Sequence, residues 1–240
     1  GDVKLRETTN VAVARDATRG LSRREFGLAV AAGAGCLALP RLTMAGTAPG
    51  DRHFVISREG KDIGRHDVTF RPTDRGLEVA TDIGIMVKVA FITAFRFEQQ
   101  ARDLWVDGQL VQSRVRTDDN GKISETVIQP EAGKLSVEGG VSGRQLLVPM
   151  GTMTDIAFWN LDIVRQRALV DIQKALLTDV AAQQAGSEDV EIDGSRIEAQ
   201  RFRIAAESGR NGDIWFDRAG NWVKGLLVTR GETLDYRLIA

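Results

Sequence analysis

The sequence predicts a mostly β fold: an antiparallel meander rolled into a curved sheet, half-barrel or barrel, with a short helix packed against it. Three observations carry that expectation. Apolar and polar side chains alternate with period two over long stretches. Turn pairs built on Gly, Asn and Asp recur about every 8–15 residues, with no helical run between most of them. The longest alternating stretch, 77–91, would span roughly 50 Å at about 3.3 Å per residue. That is wider than a small domain, so the strand must coil, and coiled strands favour a barrel or half-barrel over a flat sandwich.

The elements follow in order. In 63–70, His66 shares a face with Gly64, Val68 and Phe70, and that face points inward. Next, Leu77, Val79, Thr81, Ile83, Ile85, Val87, Val89 and Phe91 fall on one side of a strand, with Glu78, Asp82 and Lys88 on the other. Gly84 is a natural bend point. A second long strand sets Phe95, Phe97, Ala101 and Trp105 against Arg96, Glu98, Gln100 and Arg102. Asp107-Gly108 turns the chain, Val111, Ser113 and Val115 alternate with Gln112, Arg114 and Arg116, and Asp119-Asn120-Gly121 turns it again into 122–129. Near the C-terminus, Ile214-Trp215-Phe216, a turn at Ala219-Gly220-Asn221, strand 222–229, and the alternating Leu234, Tyr236 and Leu238 complete the pattern.

The region 152–184 departs from it. Leu161, Val164, Ala168, Ile172, Leu176 and Val180 recur at helical spacing, and Thr154-Asp155 is suited to a helix start. A short helix is expected around 155–167, across an open mouth or face, and 168–184 is compatible with either helix or strand.

The N-terminal 48 residues read as a twin-arginine signal segment. Ser22-Arg23-Arg24-Glu25-Phe26-Gly27-Leu28 pairs two arginines with Phe-x-Leu, a weakly apolar run follows to Leu39, and small residues suit cleavage after Ala45 or Ala48. The apolar run is short against the ~20 residues needed to span a bilayer. The expectation is export to the periplasm by the twin-arginine pathway, no membrane span after signal removal, and one β-rich domain over 49–240.

Composition narrows the function classes. Residues 49–240 hold 25 basic and 29 acidic side chains, a net of −4, which is no footprint for nucleic acid. Cys36 lies in the signal segment, so thiolate chemistry and Cys-ligated metals are excluded from the rest. No cofactor motif, serine elbow or phosphate-cradling loop is present, and no metal or catalytic set is expected. Asp118-Asp119-Asn120-Gly121 lacks the alternating ligands of a calcium loop and reads as a hairpin turn. Glu98, Asp103 and Asp107 lie along one strand and read as charge on a solvated face.

Several blocks, in order, resemble the bacterial domain of unknown function 6134. They are Ile63-Gly64-Arg65-His66, the run Asp103 to Leu110, Thr117-Asp118-Asp119-Asn120-Gly121, Phe158-Trp159-Asn160 and Ile214-Trp215-Phe216-Asp217. The resemblance covers nearly all of 52–239 and implies an exported β-rich protein. Where that family tends to have Asn-Pro-Gln-Thr-Gly, this chain has Asp171-Ile172-Gln173-Lys174-Ala175. Loss of the glycine argues against a tight turn at Ala175 and for local helix.

The candidate ligand-binding residues are His66, Phe95, Phe97, Trp105, Trp159 and Trp215, the aromatics lining a cavity and His66 giving polar orientation. Tryptophans such as these four, Trp222 included, more often fill a β core. Val89-Ala90-Phe91-Ile92-Thr93-Ala94 links two strands without Gly, Pro, Asn or Asp: either a turn there is an apolar one, suited to a hydrophobic small molecule or lipid, or the chain stays extended and the helix from 155 covers it. Three functions stay open: a binder of an apolar or amphipathic molecule, a cell-envelope interaction module with a filled core, and an enzyme with a site near His66. Oligomeric state is not legible.

Overall fold

A computed structural model describes residues 48–89 and 92–239 of the chain. The signal segment, Cys36 and the cleavage position at Ala45 lie outside the described residues, as do Ala90 and Phe91 of the apolar link.

Alternation in the sequence becomes one sheet of fifteen strands. They are β1 (Arg52–Arg58), β2 (Lys61–Thr73), β3 (Gly76–Val89), β4 (Ile92–Val106), β5 (Gln109–Asp119), β6 (Lys122–Glu131), β7 (Lys134–Gly139), β8 (Arg144–Pro149), β9 (Met153–Thr154), β10 (Ala168–Asp171), β11 (Leu176–Ile192), β12 (Ser195–Ala206), β13 (Asn211–Asp217), β14 (Trp222–Thr229) and β15 (Glu232–Ile239). The order β8-β7-β6-β5-β4-β3-β2-β1-β15-β14-β13-β12-β11-β10-β9 is antiparallel throughout except at the parallel β9–β10 pair. This is the expected meander, curved and unclosed.

Hairpin tips explain why consecutive strands pair. Glu59-Gly60, Asp107-Gly108, Asn120-Gly121, Ala132-Gly133, Asp193-Gly194 and Arg230-Gly231 each place two residues at positive φ. That is the type I′ geometry, whose twist matches the strands it joins. Ala175 is different: it reaches φ +52° without glycine, in the turn between β10 and β11. The expected loss of that turn is therefore corrected, because a single alanine tolerates the left-handed region at a modest energetic cost.

The sheet's edge strands, β8 and β9, are consecutive in the chain, joined by residues 150–152. Contacts of the β10–β11 turn draw the two sides together: Val141 N–H donates to the Gln173 carbonyl (2.9 Å) and the Thr126 hydroxyl of β6 to the Ile172 carbonyl (2.5 Å). Gly140 lies against the Lys174–Ala175 backbone, where a Cβ would approach to 2.6 Å. The sheet thus curls until its ends touch, without a ladder closing them.

The helix is shorter and later than expected. It is a 3-10 helix, Leu161–Arg165, capped by the Asn160 side chain, which accepts from Asp162 N–H. Thr154 belongs to β9, and Asp155 N–H bonds Val170 across the β9–β10 pair. Residues 168–171 and 176–192 are strand, so the four-residue spacing of Ala168, Ile172, Leu176 and Val180 does not mark a helix. Inside β11 the period is two: Val180 is buried between exposed Asp179 and Ala181.

Most of the core lies inside the curl, from Phe54, Ile56 and Val68 round to Ile214, Phe216 and Trp222. A second, smaller cluster of Val190, Ala199, Trp215 and Val223 lies apart from it.

Candidate functional site

Inward side chains of β1 to β4 and β12 to β15, with the β10–β11 turn, enclose a cavity of about 920 Å³. The link 155–160 enters it. Ile156 and Phe158 lie on the cavity wall, Phe158 against Trp222 (5.6 Å between rings), while Trp159 packs edge-on against Phe70 (5.1 Å) and Trp105 (5.0 Å). This aromatic cluster fills the interior near the Asp107–Gly108 end and forms a floor. The cavity occupies the opposite end, where the β1–β2, β12–β13 and β14–β15 turns contribute Arg58, Arg210 and Arg230.

The wall between floor and mouth is aliphatic and aromatic: Ile63, Ile83, Ile85, Phe97, Ile204 and Leu234. The row from Leu77 to Val87 faces inward as the alternation predicts, and Gln99, one step beyond Phe97, joins the wall as a buried amide that donates to Thr117 Oγ1 (2.9 Å). Asp103 corrects an expectation. It is 5 % exposed on the same inward face and accepts from Ser113 Oγ at 2.6 Å, so it is not charge on a solvated surface. Burial pushes its carboxyl up to about 6, against the lowering by Ser113. Glu98 and Asp107 are not beside it: Glu98 pairs with Arg96 at 2.7 Å, and Asp107 lies exposed in its turn.

His66 sits on the cavity wall at 1 % exposure, among Phe54 (6.3 Å), Trp222 (5.1 Å) and Tyr236 (5.8 Å). Neither ring nitrogen has a hydrogen-bond partner in the protein. Burial lowers its pKa to about 3, only weakly opposed by the Asp67 charge, so the ring is neutral at ordinary pH. No carboxylate orients it, and no partner is placed to relay its proton. Burial also raises the Tyr236 phenol to about 12.

The mouth carries the charges, in pairs. Arg230 reaches across from the β14–β15 turn to Asp119 at the end of β5, Nη1 to Oδ1 at 3.0 Å, and its guanidinium lies 5.6 Å from the Phe95 ring. Gln173 links Asp119 (2.7 Å) to Arg210 (3.3 Å), and Arg210 pairs with buried Asp155. Burial pushes Asp155 up to about 6 despite Arg210, helped by the neighbouring Asp171 charge. Lys174 pairs with Asp171 (3.5 Å) and Arg58 with Glu232 (3.6 Å). Chain segments far apart in sequence are thus tied into a polar belt. No single-sequence signal pairs Asp119 with Arg230 or Asp155 with Arg210.

Of the six residues chosen from the sequence, the structure brings His66, Phe95 and Phe97 to the cavity wall. Trp105 and Trp159 lie together in the filled floor. Trp215 is in the smaller cluster, between Lys224 (4.6 Å) and Arg201 (5.4 Å) over its ring. Its neighbours Ile214 and Phe216 take the inward positions, and strand alternation turns Trp215 away from them. Tyr236 and Gln99 complete the polar part of the wall and were not chosen. Both sit on inward parity, Gln99 midway between Phe97 and Ala101, which was the available signal.

Among the described residues, no three His, Cys, Asp or Glu side chains cluster so as to hold a metal ion, and no helix is long and apolar enough to cross a membrane.

The chain belongs to the family described as Domain of unknown function (DUF6134), whose family model matches residues 54–239. No curated protein matches the sequence. Among solved structures, the chain is similar to a beta-barrel-like protein of domain of unknown function DUF1849 from Brucella abortus. The two share 14 % identity with a TM-score of 0.58, over 80 % of this chain and 95 % of that one. At that identity the likeness is one of fold.

Proposed function

We propose that this is an exported periplasmic protein that holds an apolar or amphipathic small molecule inside its curved sheet. The observation that carries the proposal is the 920 Å³ cavity, whose wall is mainly aliphatic and aromatic and whose few polar groups converge at defined places. That is the composition of a small-molecule site, and its size is in the range such sites have. The interior of this chain is filled at one end only, so a module with a solid core describes the floor but not the mouth half. An enzyme built on His66 draws no support from the ring's surroundings, since neither nitrogen has a hydrogen-bond partner. Export follows from the paired Arg23 and Arg24 ahead of Phe26-Gly27-Leu28, with cleavage after Ala45 or Ala48.

Two measurements test this. Protein purified from the periplasm and sprayed under native conditions is expected to carry added mass from a co-purifying metabolite or lipid, lost on denaturation. A neutral apolar dye, N-phenyl-1-naphthylamine, is expected to gain fluorescence on binding the protein, and Ile85→Trp, which fills the wall, is expected to abolish the gain without unfolding the protein. A dye signal insensitive to that substitution, together with a bare mass, would rule the proposal out. Replacing Arg23 and Arg24 together by Lys is expected to leave the protein in the cytoplasm; continued export would rule out the twin-arginine route.

A further inference from the structure

The cavity is zoned. Formal charges stand at the mouth, where Arg58, Lys174, Arg210 and Arg230 each already have an acid partner. An apolar band follows, from Ile63 and Ile85 to Phe97 and Leu234. Deeper, the wall shows three uncharged hydrogen-bonding side chains. His66 and Gln99 are both paired in register with Ile83, so they stand at one level on either side of β3, and Tyr236 approaches His66 from β15.

We infer that this deep wall recognises an uncharged hydrogen-bonding end-group, a hydroxyl or a carbonyl, on a ligand with an apolar body, and that His66 is the residue that selects it. The inference rests on the reading that the cavity binds such a molecule, and names its chemistry. A buried imidazole with both nitrogens unpartnered is an uncommon arrangement, because buried polar atoms nearly always find partners. Here the ring sits on a cavity wall among aromatic rings that offer nothing back. Held neutral by burial, it presents one donor and one acceptor. Both nitrogens are covered by their neighbours, so a side-chain shift has to open the ring before a hydroxyl satisfies either nitrogen or a carbonyl the protonated one. A carboxylate or ammonium at that depth loses its hydration with no counter-ion to replace it. At the mouth such a group would have to break an existing ion pair. At about 30 Å³ per water-sized group, the volume accommodates roughly 30 non-hydrogen atoms at most.

The test uses the full chain and a matched dodecyl series displacing N-phenyl-1-naphthylamine at pH 7.5. Dodecan-1-ol is expected to bind at least tenfold more tightly than dodecanoate or dodecylamine. Since solvation alone favours the alcohol, the decisive quantity is the ratio in His66→Leu. There the alcohol is expected to weaken roughly tenfold, the effect of one lost buried hydrogen bond. Dye affinity is measured directly for each variant so that the displacement constants are comparable, and the alcohol-to-carboxylate ratio should fall in proportion. His66→Gln, which keeps an uncharged donor and acceptor, is expected to recover part of the ratio. An unchanged ratio in His66→Leu, or dodecanoate binding as tightly as dodecan-1-ol, overturns the selection by His66 while leaving the ligand reading in place. Failure of the dye and of all three probes to bind the wild-type protein overturns both.

Discussion

Acidification should reveal His66 as a stability switch. The ring's pKa is 6.5 when unfolded and about 3 in the fold, because burial disfavours the charged form. Its contribution is therefore fully present above pH 6.5 and lost progressively as pH falls toward 3, as the unfolded chain takes up a proton that the folded chain refuses. At pH 4.5, two units below the unfolded value, the loss from this group amounts to about 2.7 kcal/mol. Wild-type stability alone does not isolate it. Asp103 and Asp155, both raised to about 6, push the other way as they bind protons more readily in the fold. The perturbation that isolates His66 is His66→Leu. Leucine removes no protein hydrogen bond and fits the nest of Phe54, Trp222 and Tyr236. At pH 7.5 the variant is thus expected within about 1 kcal/mol of wild type. At pH 4.5 it should gain about 2.7 kcal/mol on wild type, since it carries no proton-binding ring. Urea unfolding followed by tryptophan fluorescence at the two pH values measures the difference of differences. An equal gap at both pH values would refute the buried neutral imidazole, and with it the polar character of the deep wall.

Asp103→Asn is expected to stabilise the protein by up to about 3 kcal/mol at pH 8, since an ionised carboxylate is penalised in the fold above about pH 6 and not below 3.8; urea curves at pH 8 and pH 3.5 should show the gain vanish at the lower pH. Ala175→Gly relieves a positive φ and should raise the melting temperature by the equivalent of about 0.5–1 kcal/mol. Gly140→Ala, whose new Cβ meets the Lys174–Ala175 backbone at 2.6 Å, should lower it by the equivalent of 2 kcal/mol or more. Arg230→Ala opens the link to Asp119; its expected effect is about 1 kcal/mol or less on global stability, with faster amide exchange in the β5–β6 and β14–β15 turns as the local readout.

Legibility in the sequence follows the range of the interaction. The inward row of β3 and the turns at Asp107-Gly108 and Asn120-Gly121 are local patterns, and they read directly. Gln99 and Asp103 were readable too, because parity with Phe97 and Trp105 places them inside; polarity argued for the outside, and geometry won. The helix expected around 155–167 is present but confined to Leu161–Arg165: Leu161 and Val164 at an interval of three fit it, while Leu169-Val170 and the period of two in β11 belong to strands. Trp215 was ambiguous in principle, since Ile214, Trp215 and Phe216 are all apolar and alternation then says nothing about which faces in. The belt through Asp119, Gln173, Arg210 and Arg230 depends on how the two ends of the sheet meet, and no local pattern encodes that.

Why there is a cavity at all follows from the strand count. A barrel of eight strands encloses an interior that its own side chains just fill. Fifteen strands curled until their edges touch enclose more than that, even without a closing ladder. This chain supplies extra volume once, by sending the link between β9 and β10 inward with Phe158, Trp159 and Ile163, and that insertion meets Trp105 and Trp222 at one end. Between the floor and the charged mouth much of the wall is Ile and Leu, side chains too short to reach across. Enlarging them would fill the space at little risk to the sheet, since they project from ordinary strand positions. The cavity therefore reflects residue choice at Ile63, Ile85 and Leu234 rather than a limit of the fold, while Gly212 is held small by the Leu226–Leu227 backbone, which a Cβ would approach to 2.4 Å, and the unpartnered ring of His66 sits beside the space that choice leaves.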